Sequence, residues 1–162
     1  MPDSFEDSRT ARTLRTLETA IDEDRLPHAI LLYGSTMDAV ESACLGLTRK
    51  LLGMADEVRQ HADLHEIRPQ GAARIIAVKQ TRALIKEINH ASSQGINKVA
   101  IAHEADRMNT AAANAFLKTL EEPPPHTTIF LLTTKPYSLL PTIKSRCQRF
   151  RVSSPPQKEE RL

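Results

Sequence analysis

Ala29-Ile30-Leu31-Leu32-Tyr33 is an unbroken apolar run of strand length, closed in by Pro27 and Gly34. A strand without polar alternation needs cover on both faces, which a parallel sheet between helices provides. Three further runs read as strands: Leu64–Ile67, closed by Pro69-Gln70-Gly71, then Lys98–His103 and Ile129–Thr133. A fifth is expected at Arg149–Val152. Helical spacing fills the intervals. Ser4–Asp22 carries Leu14, Leu17 and Ile21 on one face; Ala39–Gly53 ends on a glycine; Val78–Ala91 aligns Val78, Thr81, Leu84, Ile85 and Ile88. The best-marked helix follows Asn109, a good N-cap. Ala113, Phe116, Leu117 and Leu120 form its buried stripe, and Pro123-Pro124-Pro125 stops it. The alternation predicts an α/β fold: a three-layer, parallel five-stranded sheet with right-handed crossovers. Residues 1–152 form the expected domain, and 153–162, with Pro155 and Pro156, a linker or the start of a truncated helical lid.

Composition narrows the classes of function. The 162 residues suffice for one core, which the scarcity of aromatics and absence of Trp leave to Leu, Ile, Val and Ala. A formal charge of +2 does not indicate a purely electrostatic nucleic-acid binder. Two cysteines, Cys44 and Cys147, are too few for a disulfide framework or a four-cysteine zinc site. With an acidic N-terminus and no membrane-length apolar run, the expected setting is soluble, reduced and cytoplasmic, with no membrane partner.

Ligands of such sheets bind at the carboxyl ends of the strands, where Gly34, His103, Glu104 and Thr133 emerge. A phosphate-binding loop reads G-x-x-x-x-G-K-[ST], its amides and lysine holding phosphates and its hydroxyl holding magnesium. In that register this chain has Gly34, Ala39, Val40 and Glu41: an aliphatic replaces the cation and an anion replaces the hydroxyl. A unit charge at about 4 Å is worth roughly 4 kcal/mol at an effective dielectric near 20, so both changes weigh against phosphate affinity. Taken alone, Gly34 reads better as a glycine that merely ends a strand, and the rest of the chain reverses that preference. The run Val99–Asp106 resembles the apolar strand that ends in Asp-Glu in nucleoside triphosphatases, with His103 at the magnesium-binding Asp position and Glu104 at the water-orienting one. Imidazole is a poor ligand for hard Mg²⁺. These two residues also suit a plain surface cap of the strand.

Asn109-Thr110-Ala111-Ala112-Ala113-Asn114-Ala115-Phe116-Leu117-Lys118-Thr119-Leu120-Glu121-Glu122-Pro123-Pro124 resembles the signature helix of clamp-loader subunits of the AAA+ superfamily, and Ser145-Arg146-Cys147 resembles their Ser-Arg-Cys motif. Arg25-Leu26-Pro27-His28-Ala29, Asp63-Leu64-His65-Glu66-Ile67 and Leu131-Leu132-Thr133-Thr134 at the sensor strand extend the likeness from Asp24 to Val152. It is strongest to the delta-prime type of bacterial DNA polymerase III subunits, in which an eroded phosphate loop is common. The resemblance implies an AAA+ P-loop NTPase sheet with a degenerate nucleotide site at Gly34, Ala39, Val40, Glu41, His103, Glu104, Thr133 and Thr134. It implies weak nucleotide binding at most, no other cofactor, and no catalysis by this chain itself within a nucleotidyltransferase holoenzyme. Implied partners are gamma/tau and delta subunits, the sliding clamp, and primer-template DNA reached through the complex. Arg146, flanked by Ser145 and Cys147, is implied as an arginine finger acting in trans on a neighbour's γ-phosphate. Such a residue is worth a factor of roughly 10³ to 10⁵ in rate.

Lys135, Lys144, Arg146, Arg149 and Arg151 occur with no acid between them. They suit an interface facing phosphates, although Arg149 and Arg151 fit better as the solvent side of an edge strand. One departure from the family is that Leu51–Leu64 lacks the cysteines of its zinc module. His61 and His65 are expected in ordinary surface roles. The chain is expected to be a fragment that stops near the start of the lid. Two alternatives remain open: an active gamma/tau-type ATPase in which Glu41 or Asp106 replaces the magnesium ligand, and an adaptor without finger function. A buried intramolecular ion pair at Arg146 would favour the adaptor.

Overall fold

The computed structural model describes residues 3–54, 61–90 and 96–153, with side chains from residue 8 onward. The elements alternate as expected, with the addition of α5: α1 (Asp3–Asp22), β1 (Ala29–Tyr33), α2 (Met37–Leu52), β2 (Leu64–Ile67), α3 (Val78–Ile88), β3 (Lys98–Ala102), α4 (Thr110–Glu121), β4 (Thr127–Thr133), α5 (Pro141–Lys144) and β5 (Gln148–Arg151). The strands form one sheet in the order β2-β3-β4-β1-β5 with every pairing parallel.

Strand β1 shows why the sequence settles there. Leu31 packs with Leu84, Phe116, Leu120 and Ile143 on one face, while Ile30 and Leu32 pack with Leu17, Val40, Cys44 and Leu47 on the other. All three β1 residues are fully buried. The helices that bury these faces are set by local chemistry. Asn109 caps α4 by accepting from the Ala112 N–H at 2.9 Å, and Gly53 ends α2 in the left-handed conformation, at φ 67°.

Several boundaries differ from expectation. β4 begins at Thr127 rather than Ile129, because the Lys98 N–H donates to the His126 carbonyl and carries the β3–β4 pairing back along the strand. β3 stops at Ala102, and β5 runs one residue earlier than expected. The expected end of α3 at Ala91 lies outside the described residues; the helix is assigned to Ile88. The linker or lid expected over 153–162 also lies outside them beyond Ser153.

Gly34 occupies the tightest crossing. Its N–H donates to the Thr133 carbonyl at 3.4 Å, and the adjacent Tyr33 carbonyl accepts from the Val152 N–H at 2.8 Å. A Cβ on Gly34 would lie 2.1 Å from the Val152 carbonyl oxygen. The glycine is therefore required by a backbone approach from the end of β5. Gly34→Ala is expected to destabilise the fold by about 1–3 kcal/mol, read as a melting temperature lowered by several degrees; an unchanged melting temperature would show that the crossing relaxes freely.

Candidate functional site

Only Gly34, Ser35 and Thr36 separate β1 from α2. The helix starts at Met37, two residues before the expected Ala39, because Thr36 caps it: the Thr36 side chain accepts from the Ala39 N–H at 3.3 Å, and the Thr36 carbonyl accepts from the Val40 N–H at 3.3 Å. Two amides that a phosphate-binding loop would aim at its ligand are thus spent within the chain. Val40 is fully buried in the core. No cation projects from that position.

Glu41 and His103, the two sequence departures, are bonded to each other. His103 is 3% exposed; its Nδ1 lies 2.9 Å from Glu41 Oε1 and its Nε2 lies 2.7 Å from Glu66 Oε1. Arg68 joins the cluster from the residue after β2, with Nη1 3.3 Å from Glu41 Oε1 and Nη2 3.8 Å from Glu66 Oε1. A neutral imidazole has a single N–H. Carboxylate oxygens on both ring nitrogens therefore need a second proton, on the ring or on one carboxyl group. The arrangement is a neutralised polar cluster with both edges of the imidazole occupied. Glu66 and Arg68 were not expected at the site; the available signal was a charged residue inside the short strand Leu64–Ile67. His103→Ala would leave two carboxylates facing each other across a cavity. The expected loss is about 1–3 kcal/mol, measured by urea denaturation; a loss of only a few tenths would mean that solvent already screens the pair.

Glu104 and Thr133 are also engaged. Glu104 has φ 50° and ψ 55°, left-handed values uncommon for a non-glycine residue. Its carboxylate accepts from Arg74 Nη2 at 2.8 Å. Buried Thr133 donates to Asp106 Oδ1 at 2.6 Å and accepts from the Lys135 N–H at 2.9 Å, with half-buried Thr134 between them. Asp106 and Glu41, the alternative magnesium ligands, are thus both committed to contacts within the chain. Among the described residues no group of three His, Cys, Asp or Glu side chains is placed to hold a metal. His65 sits on β2 with Nδ1 3.1 Å from Glu87, and His61 Nδ1 accepts from the Asp63 N–H at 3.0 Å.

Arg146 follows α5 on a separate face. Its Nε donates to Glu121 Oε1 at 2.7 Å, its Nη2 lies 2.6 Å from the same oxygen, and its Nη1 donates to the Thr142 carbonyl at 2.8 Å. The side chains of Arg146 and Glu121 are 28% and 51% exposed, so this ion pair is partly open to solvent. Ser145 turns its hydroxyl to the Thr142 carbonyl at 3.0 Å. Arg149 and Arg151 are exposed on β5, which among the described residues pairs with β1 alone and forms a sheet edge, as expected.

Cys147, the residue after Arg146, packs against the core. Burial pushes its thiol up to about 12 and also raises that of Cys44. A raised value keeps the thiol protonated through neutral pH, and the thiolate is the reactive form. Alkylation by iodoacetamide is therefore expected to be slow at pH 7 and to accelerate as pH rises toward 10. Rapid stoichiometric labelling at pH 7 would contradict the packing described.

A family model described as DNA polymerase III, delta subunit, matches residues 9–156. The DNA polymerase III subunit delta' of Bacillus subtilis (strain 168) is 35% identical over 167 residues, covering 93% of this chain and 50% of that protein. Its counterpart in Haemophilus influenzae is 35% identical over 148 residues, covering 83% of this chain and 45% of that protein. The chain spans half the length or less of these relatives. Among solved structures, a DNA polymerase III gamma subunit-related protein from Thermotoga maritima superposes with a TM-score of 0.75 at 33% identity, covering 88% of this chain and 46% of its own. The RuvB Holliday junction branch migration motor of the same organism superposes at 0.59 and 12% identity, covering 91% of this chain and 44% of its own, a likeness of fold alone.

Proposed function

Because the chain belongs to the DNA polymerase III delta-prime subunit family, we propose that it is a clamp-loader subunit that does not hydrolyse ATP and that presents Arg146 to the nucleotide of a neighbouring subunit. The observation that carries the first part is the bonding of Glu41 to His103. The positions where a working site would place its magnesium-binding hydroxyl and carboxylate hold an acid and an imidazole bonded at 2.9 Å, while Val40 lies in the core. Phosphates arriving there would meet Glu41 and Glu66 rather than a lysine, with Arg68 already paired to both. Two of the amides that would otherwise receive them are capped.

The second part rests on Arg146. A guanidinium remains charged and grips phosphate oxygens side-on, which suits it to stabilise charge developing during phosphoryl transfer. Arg146 is held at the surface by a partly exposed pair, and exposed pairs are worth only about 0–1 kcal/mol, so a neighbour's phosphate can displace Glu121. On this reading the gamma/tau subunits hold the ATP, the delta subunit completes the ring, and the assembly places the sliding clamp on primed DNA. The second reading, an adaptor whose arginine is purely structural, called for a buried pair at Arg146, and the pair is partly exposed.

Arg146→Ala in a reconstituted loader separates the two. The proposal predicts at least about a ten-fold fall in clamp- and DNA-stimulated ATP turnover with assembly intact by size-exclusion chromatography. Unchanged turnover would leave the adaptor.

A further inference from the structure

The Arg146–Glu121 pair carries more than the position of a finger. Nε and Nη2 form the edge with which an arginine grips two oxygens at once, and both lie within 2.7 Å of a single Glu121 oxygen. Nη1 is turned back to the Thr142 carbonyl. In this conformation the edge that would meet a phosphate is already closed by an anion.

The place of that anion is unexpected for helix stability. Glu121 is the last residue of α4, where the helix dipole presents its negative end and a carboxylate is unfavourable. Its partner comes from across the α4–α5 packing, 25 residues later in the chain. The arrangement places a carboxylate at the end of a rigid, core-packed helix in the position of a phosphate surrogate.

Resting on the arginine-finger reading above, we infer that Glu121 is a positioning residue that keeps Arg146 docked until a neighbour's nucleotide phosphate replaces the carboxylate. The exchange is of like for like: one anion leaves the Nε/Nη2 edge and another takes it, with no bond made or broken. Docked and released states compete, so weakening the dock raises the fraction of Arg146 available before the clamp and DNA arrive.

The test uses the reconstituted loader and ATP, with and without clamp and primed DNA. Glu121→Gln is expected to raise unstimulated turnover about two- to five-fold, the population shift that matches loss of one partly exposed ion pair, and to lower the stimulation ratio correspondingly. Glu121→Asp, which keeps the charge, returns unstimulated turnover toward the parent value. Glu121→Gln combined with Arg146→Ala matches Arg146→Ala alone, an epistasis that a role in helix stability would not produce. Unstimulated turnover that is unchanged or lowered in Glu121→Gln, while Arg146→Ala still lowers stimulated turnover, overturns the docking inference and leaves the finger standing. If Arg146→Ala itself has no effect, the finger reading fails and the inference fails with it.

Discussion

The parallel pairing of β1 between β4 and β5 fixes nearly everything that matters at the site. It aligns Tyr33 with Thr133 on one side and with Arg151 on the other, so that three strands end together. The chain leaving β5 then crosses so close to Gly34 that no Cβ fits. With the crossing this tight and only three residues before α2, the connection is a capped helix start in place of an open loop around phosphate. A glycine that looks like the opening of a nucleotide motif serves here as a packing contact. Of the two descriptions of Gly34 available from the sequence, the one the geometry speaks to is the glycine that ends a strand.

Charges reinforce this geometry. A buried imidazole between two carboxylates would be costly if any of its polar atoms were unpaired, yet each nitrogen has an oxygen within 3 Å and an arginine spans both acids. Glu41 on α2 and His103 at the end of β3 therefore complement each other within one cluster. Across the α4–α5 contact the opposite principle holds. Arg146 and Glu121 stay partly in water, where an ion pair is weak and easily exchanged. One cluster is buried, and the other stays partly open to solvent.

The strands were legible because β1, β3 and β4, covered on both faces, must be written as continuous apolar runs, and Ala29–Tyr33 and Leu64–Ile67 match the expected limits to the residue. Asn109 marked the start of α4 because a cap is a local feature. Helix α5 was missed because Pro141–Lys144 is a single turn and offers no period to read. The start of α2 was placed late because the cap from Thr36 outweighed the register of the phosphate motif. At the sites, Glu41, His103 and Arg146 were named from local patterns. Their partners were not, since Glu66 lies 37 residues from His103 and Glu121 lies 25 from Arg146. No window along the chain joins residues that only the parallel crossovers bring together.

The central claim is that this chain's own side chains occupy the place of a nucleotide. Isothermal titration of the protein with ATP and Mg²⁺ tests it most directly. The account predicts no saturable heat below about 1 mM ligand, equivalent to less than about 4 kcal/mol of binding. One-to-one binding in the micromolar range that also requires Mg²⁺ would contradict it.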